Sequence, residues 1–267
     1  MPVLSSLKIS IVTPSFNQGI FIEEAIKSVL SQGYSDLEHI IVDNCSTDTT
    51  ASVLARYPHL KVICEPDQGQ SDALNKGFKA ATGDIVGWLN ADDKYLPGCF
   101  GKVSLAFNEY GEADVVYGDY RLVDLKGRLI RLRKELAFDM FMLKYLHILY
   151  IPSTTTFFKR RVFDDGNFLD IGYHYAMDYD LFLRLALRGY RFQHITEMLA
   201  DFRWHTDAKS QKQSGRQKEE MERALLEHDR FLRGLPGSLR ASFRYCFMVI
   251  ARVERSLLKL VHGAYWA

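Results

Sequence analysis

Two adjacent carboxylates, Asp92 and Asp93, stand at the end of the apolar run "DIVGWLN" (84–90). Like charges side by side repel, so something must compensate them. One compensation is that the pair, standing before "KYLPGCF", caps the N-terminus of the next helix, whose free amides favour negative side chains. The other is a divalent cation, because Mg2+ and Mn2+ take hard oxygen ligands and need only one or two protein carboxylates. Other carboxylates occupy comparable places. Asp43 closes "LEHIIVD", Asp72 stands near the start of "SDALNKGFKAAT", and Asp178 and Asp180 open "MDYDLFLRLALRG". Whether they act together depends on the elements that carry them.

"KISIVT" (8–13) is a β-branched run that reads as a strand ending at Pro14. "IFIEEAIKSVLSQ" (20–32) has helical spacing, with Ile22, Ala25, Ile26, Val29 and Leu30 on one face. "LEHIIVD" (37–43), "LKVICE" (60–65) and "DIVGWLN" are three further strands. Ser46 or Thr47 caps the helix between the first two of these, and Gly83 ends the helix before the third. Such alternation predicts an α/β fold with a mostly parallel, Rossmann-like central sheet flanked by helices. Ligands of such sheets bind beyond the C-terminal strand ends. That rule gathers Thr13-Pro14-Ser15, Asp43-Asn44, Glu65-Pro66-Asp67 and Asn90-Ala91-Asp92-Asp93 at one rim. Carboxylates converging there repel one another unless a cation sits between them.

After residue 110 the pattern changes. A strand and hairpin with a turn near Lys126-Gly127 come first, then a strand candidate at 153–160. A helix over 176–189 and two short strands, "YRFQHI" and "LADFRWH", complete the body. Residues 211–267 read as helical, broken at Gly234-Leu235-Pro236-Gly237. The expected division is a domain over 1–210, with halves 1–110 and 111–210, and a helical C-terminal extension over 211–267.

The 267 residues are 47% hydrophobic and 25% charged, the mixture of a globular protein. Net charge is +1, but residues 203–267 carry 13 Lys+Arg against 7 Asp+Glu, so the rest is acidic. Cys45, Cys64, Cys99 and Cys246 form no CxxC pair, which fits a reducing compartment and disfavours a zinc site. The N-terminus lacks the pattern of a secretion signal, and "YCFMVIA" is too short to span a bilayer. A cytoplasmic location follows. No GxGxxG follows the first strand, against a dinucleotide enzyme. The basic tail lacks the aromatic platform of a nucleic-acid binder.

Five stretches in order, "VTPSFNQ" (12–18), "IIVDNCSTDTT" (40–50), "GQSDALNKGFKAATGDIVGWLNADD" (69–93), "MDYDLFLRLA" (177–186) and "RWHTDAKS" (203–210), together resemble the inverting family-2 glycosyltransferases of GT-A fold. The resemblance implies roles. Thr13, Pro14 and Ser15 would contact the donor nucleotide. Asp43 would accept hydrogen bonds from its base or ribose, or else only cap the "STDTT" turn. Asp72 would serve the nucleotide region, or else act as an ordinary N-terminal helix residue. Asp92 would meet the ribose and Asp93 the metal, Mn2+ or Mg2+, with His205 as a further metal ligand or diphosphate contact. Asn90 stands where the commoner form of the motif has an acid. Asp178 would be the general base, taking the proton of an acceptor hydroxyl, with Met177 packing beside it and Asp180 pointing elsewhere.

The implied reaction moves a sugar from a nucleotide-diphosphate sugar, a UDP- or dTDP-sugar, to a glycan or lipid-linked acceptor in polysaccharide, cell-envelope glycan or glycolipid synthesis. Two rivals share the layout. A sugar-1-phosphate nucleotidyltransferase needs a Gly-rich basic loop after strand one, whereas this chain has "PSFNQGIF". A non-catalytic nucleotide-sugar binder would keep the fold without turnover. Over 238–262, Arg240, Arg244, Arg252, Arg255 and Lys259 share one helical sector and the apolar residues the other. That helix packs on the domain, meets an anionic membrane surface peripherally, or joins a homo-dimer.

Overall fold

The computed structural model describes residues 7–146, 148–204 and 214–261. Four parallel strands build its first half: β1 (Ile9–Ser15), β2 (Leu37–Asp43), β3 (Lys61–Cys64) and β4 (Ile85–Trp88). They stand in the order β3-β2-β1-β4. The crossovers are α1 (Ile22–Leu30), α2 (Thr50–Leu54) and α3 (Gln70–Ala80). β1 runs through Pro14 rather than stopping before it. Its pairing with β4 ends at Val12, while its pairing with β2 continues to Ser15 opposite Asp43. The Val12 carbonyl bonds toward β4 and the Ser15 carbonyl toward β2, so Pro14 turns its nitrogen to the side where no ladder remains.

The sheet then turns mixed. β5 (Lys94–Tyr95), α4 (Cys99–Glu109), β6 (Val115–Val123) and β7 (Leu129–Arg133) are followed by α5 (Met140–Tyr145) and a 3-10 turn over Ser153–Thr155. β8 (Thr156–Lys159), α6 (Arg161–Asp164), α7 (Met177–Leu187) and β9 (Phe192–Arg203) complete the body. β8 is antiparallel to β4 and β6, while β9 runs parallel to β6 and antiparallel to β5. The two short strands expected near the end are one strand, β9, whose register against β6 shifts around Gly118 and Asp119. Three helices follow: α8 (Ser214–His228), α9 (Arg230–Gly234) and α10 (Gly237–Val261).

α3 seats closely on the sheet. At Gly77 a Cβ would lie 2.2 Å from Val12 Cγ1, so only glycine lets this helix approach β1. Ala73, Leu74 and Phe78 bury the same face against Val12, Val42 and Trp88. On the other face of the sheet Ala25 and Val29 of α1 join Phe100 and Val103 of α4. Leu30 projects outward from α1 despite its apolar character.

Candidate functional site

A cavity of about 610 Å³ opens beyond the C-terminal ends of β1 and β4. Pro14, Ser15, Asp92, Asp93 and Asp178 all line it. The acidic pair is held from several directions. Asp93 is buried, and its Oδ1 accepts the Arg203 backbone N–H at 2.9 Å. Its Oδ2 accepts from Thr154 Oγ1 at 2.8 Å and from Asn90 Nδ2 at 3.1 Å. Asn90 Oδ1 in turn accepts from Trp88 Nε1 and Gln70 Nε2, both at 2.9 Å. An aspartate at 90 could not donate to Asp93, so the amide replaces a repulsion with a hydrogen bond. Arg203 clamps the pair from behind. Its Nε donates to the Asp92 carbonyl at 2.8 Å and its Nη2 to Glu24 at 2.8 Å, so the guanidinium is committed to protein.

Burial first, and the neighbouring Asp92 charge second, push the Asp93 carboxyl up to about 8. A cation beside it would restore the carboxylate. Asp93 thus accepts three hydrogen bonds, one on Oδ1 and two on Oδ2, and lines the cavity. Among the described residues no group of three or more His, Cys, Asp or Glu could cage a metal alone. Two adjacent carboxylates are hard oxygen donors of the kind a divalent cation takes, with its other ligands supplied from outside the protein. His205 lies outside the described residues.

Three of the residues expected to meet the nucleotide stand back from the cavity wall. The Thr13 hydroxyl is buried against His39 Nε2 at 2.9 Å, because its side chain points into the sheet layer. Asp43 accepts from Ser46 N at 2.8 Å and Ser46 Oγ at 2.6 Å, while Ser46 Oγ accepts the Asn17 N–H at 2.8 Å. It ties together the loops after β1 and β2, where Asn17 and Cys45 adopt positive φ of 53° and 48°. Asp72 accepts the Gln68 N–H at 3.1 Å and pairs with Lys76 at 3.5 Å, the work of a helix-start acid. In their place Asn44, Asp67 and Gln70 reach the cavity. Asp67 N donates to Asn44 Oδ1 at 3.0 Å, and Asp67 Oδ1 accepts from Gly69 N at 2.8 Å.

Asp178 begins α7 at the opposite wall. Burial pushes its carboxyl up to about 6, opposed by amides at the helix start, and the Glu220 charge adds to the rise. Met177 packs beneath it, with Ser71 Oγ 2.9 Å from its sulfur. Asp180 turns away, held by Arg184 at 2.9 Å and by His228 at 3.0 Å. The segment before Asp178 is wired to α8. Glu220 accepts the N–H groups of His174, Tyr175 and Ala176 at 2.7 to 3.1 Å. Glu227 accepts from the Tyr173 hydroxyl at 2.6 Å, and Gln217 itself lines the cavity. The far end of the cavity is walled by Tyr120, Glu135, Leu149 and Tyr150. Sequence reasoning misses these four and the α8 contacts, which depend on residues distant in the chain.

With this geometry, the profile of the family described as Glycosyl transferase family 2 matches residues 10–167. The chain belongs to glycosyltransferase family 2. An uncharacterized glycosyltransferase of Rickettsia typhi is 31% identical over 224 residues, covering 80% of this chain and 69% of that protein. One from Nostoc sp. is 41% identical over 96 residues, 34% of this chain and 30% of its own length. The putative teichuronic acid biosynthesis glycosyltransferase TuaG of Bacillus subtilis is 39% identical over 92 residues, 33% of this chain and 36% of its own. This family member thus spans only about a third of two of these relatives. In fold it is similar to S. aureus TarS 1-349 in complex with UDP-GlcNAc, with a TM-score of 0.61, 17% identity, and 92% of this chain and 79% of that one covered. The mannosyltransferase PcManGT from Pyrobaculum calidifontis, in complex with GDP-Man and Mn2+, gives 0.61 and 17%, covering 92% and 73%. The family member's fold is thus of GT-A type.

Proposed function

We propose that the chain transfers a sugar, with inversion, from a nucleotide-diphosphate sugar to a hydroxyl of a glycan or lipid-linked acceptor in cell-envelope polysaccharide synthesis. The observation that carries this reading is that the Asp92-Asp93 pair and Asp178 line one cavity. Relatives named for teichuronic acid and O-antigen biosynthesis support the biosynthetic setting. Neighbours of the same fold in complex with UDP-GlcNAc or GDP-Man support a nucleotide-sugar donor, and a UDP- or dTDP-sugar is the donor we favour. Four free cysteines support a reducing, cytoplasmic setting.

In this reading Pro14, Ser15, Asn44, Asp67 and Asp92 face the nucleotide and ribose. Thr13, Asp43 and Asp72 hold the loops that present them. Asp93 would hold Mn2+ or Mg2+, and the sequence-based expectation for His205 is a further metal ligand or a diphosphate contact. Bound there, the ion would neutralise charge on the diphosphate leaving group. Asp178 orients the acceptor hydroxyl and accepts its proton. As the acceptor oxygen bonds to the anomeric carbon, the bond from that carbon to the phosphate oxygen breaks and the nucleoside diphosphate leaves with the electron pair. Glu220 keeps the Asp178 segment in place from α8.

Nuclear magnetic resonance of the product from an α-linked UDP-sugar donor tests the reaction class. Transfer to a β-linked product, abolished by Asp178→Asn, is expected. An α-linked product, or transfer at wild-type rate by Asp178→Asn, overturns the assignment of Asp178 as an inverting base.

A further inference from the structure

The loop after β2 carries a residue that the chemistry above leaves unused. Cys45 has a φ of 48°, a left-handed backbone that glycine adopts freely and other residues only at a cost. Such strain persists only where the surroundings impose it, and it gathers at functional positions. Cys64, the last residue of β3, lies beside it, with the two sulfurs 4.0 Å apart. Both thiols are exposed, whereas Cys99 is buried. The pair is therefore in reach of solvent and of each other. Cys64 Sγ is also 4.0 Å from Asp43 Oδ2. Yet among the described residues no group of three or more His, Cys, Asp or Glu could hold a metal ion. What remains to two neighbouring, accessible thiols is thiol–disulfide exchange.

The surroundings of the pair tie it to the cavity. Asn44, directly before Cys45, lines the cavity, and its Oδ1 accepts the Asp67 N–H at 3.0 Å. Ser46, directly after Cys45, donates from N and Oγ to Asp43. Asp67 follows Cys64 by three residues and lines the same cavity. A disulfide holds its sulfurs about 2.05 Å apart. Closing to that length therefore acts on the two segments that carry Asn44 and Asp67.

We propose that Cys45 and Cys64 form a reversible disulfide that shifts Asn44 and weakens nucleotide binding. The control presupposes that Asn44 faces the nucleotide, as proposed above. The oxidant is a small-molecule disulfide such as oxidised glutathione. The Cys64 thiolate attacks one of its sulfurs, the S–S bond breaks, and one small thiol leaves with the electron pair. The Cys45 thiolate then attacks the Cys64 sulfur of the mixed disulfide, and the second small thiol leaves. Two cysteines are oxidised, one small disulfide is reduced to two thiols, and the protons that the cysteines lose are taken up by the leaving thiols. Desolvation first, then the neighbouring Cys64, Asp43 and Glu65, hold the Cys45 thiol above its ordinary value. That suits Cys45 to the second step, where proximity offsets poor ionisation. In a reducing compartment such a bond is transient and serves as a sensor.

The full chain, treated with excess oxidised glutathione or with dithiothreitol, is alkylated, digested and read by mass spectrometry, and UDP is titrated into each form in the presence of Mn2+. The expected result is a peptide pair joined through Cys45 and Cys64 in the oxidised form alone. UDP should bind that form about tenfold more weakly, the worth of one hydrogen bond. Cys45→Gly, which suits the positive φ, and Cys64→Ser should each bind UDP as the reduced wild type does and lose the response to oxidant. Cys246→Ser should keep it. Glutathione adducts without the Cys45–Cys64 bond overturn the proposal, as does a disulfide that leaves UDP binding unchanged or a response that survives Cys64→Ser. A disulfide formed in a chain that binds no UDP even when reduced overturns the control of nucleotide binding, and puts the fault in the nucleotide reading rather than in the thiol pair.

Discussion

Asp178 carries the sharpest expectation at the level of single residues. As the proposed general base it must be ionised, and burial holds its carboxyl up to about 6. The carboxylate form is lost as pH falls through that value, so kcat/KM should fall about tenfold per pH unit below it and level off above it. Asp178→Asn should lower transfer by roughly 10²- to 10⁴-fold while the donor still binds, a split that steady-state and binding measurements together resolve. Asn90→Asp makes a different point. It removes the donor to Asp93 and adds a third carboxylate, so Asp93 should be still harder to ionise without metal, and the metal-free chain should melt earlier at pH 8 than at pH 6. The acids themselves are legible in the sequence because each ends a strand or opens a helix. That Thr13 faces His39 is not, since the direction of a side chain at a strand end depends on its neighbours in the sheet.

Between elements, α8 and α3 carry most of the positioning. Glu220 gathers three consecutive amides ahead of Asp178. Glu220→Gln should lower kcat by roughly 10- to 100-fold through misplacement of that segment. It should also move the acid limb of the pH profile downward, because a negative charge that raises the Asp178 carboxyl is gone. For α3, Gly77→Ala should destabilise the chain by about 1–3 kcal/mol despite the better helix propensity of alanine, through collision with Val12. Val12→Ala in the same chain should recover part of the loss in thermal denaturation, since the two sites share one contact. The first four strands and their crossovers are readable because local periodicity alone specifies them. β9 reads as two strands because its register shift against β6 interrupts the alternation. Nothing in "SGRQKEEMERALLEH" signals that its glutamates bind the 170s, which is a matter of docking.

At the scale of the molecule, the parallel half presents the loops after β1 and β4 and the mixed half presents Asp178 and an aromatic wall, and all of these line one cavity. The expected boundary near residue 210 leaves Gln217 and Glu220 on its C-terminal side, although Gln217 lines that cavity and Glu220 holds the segment before Asp178. Truncation before α8 should therefore abolish transfer along with the extension. Among the described residues no helix is long and apolar enough to cross a membrane, and α10 exposes apolar residues such as Ile250 and Leu257. Central to the proposed chemistry is that a cation and a nucleotide diphosphate bind together at Asp92 and Asp93. Isothermal titration of UDP into the full chain, with and without Mn2+, measures this directly. Binding strengthened by Mn2+ in the wild type and in Asp178→Asn, but insensitive to Mn2+ in Asp93→Asn, is the predicted result. Equal Mn2+ enhancement in Asp93→Asn, or no nucleotide binding by the wild type under either condition, would contradict it.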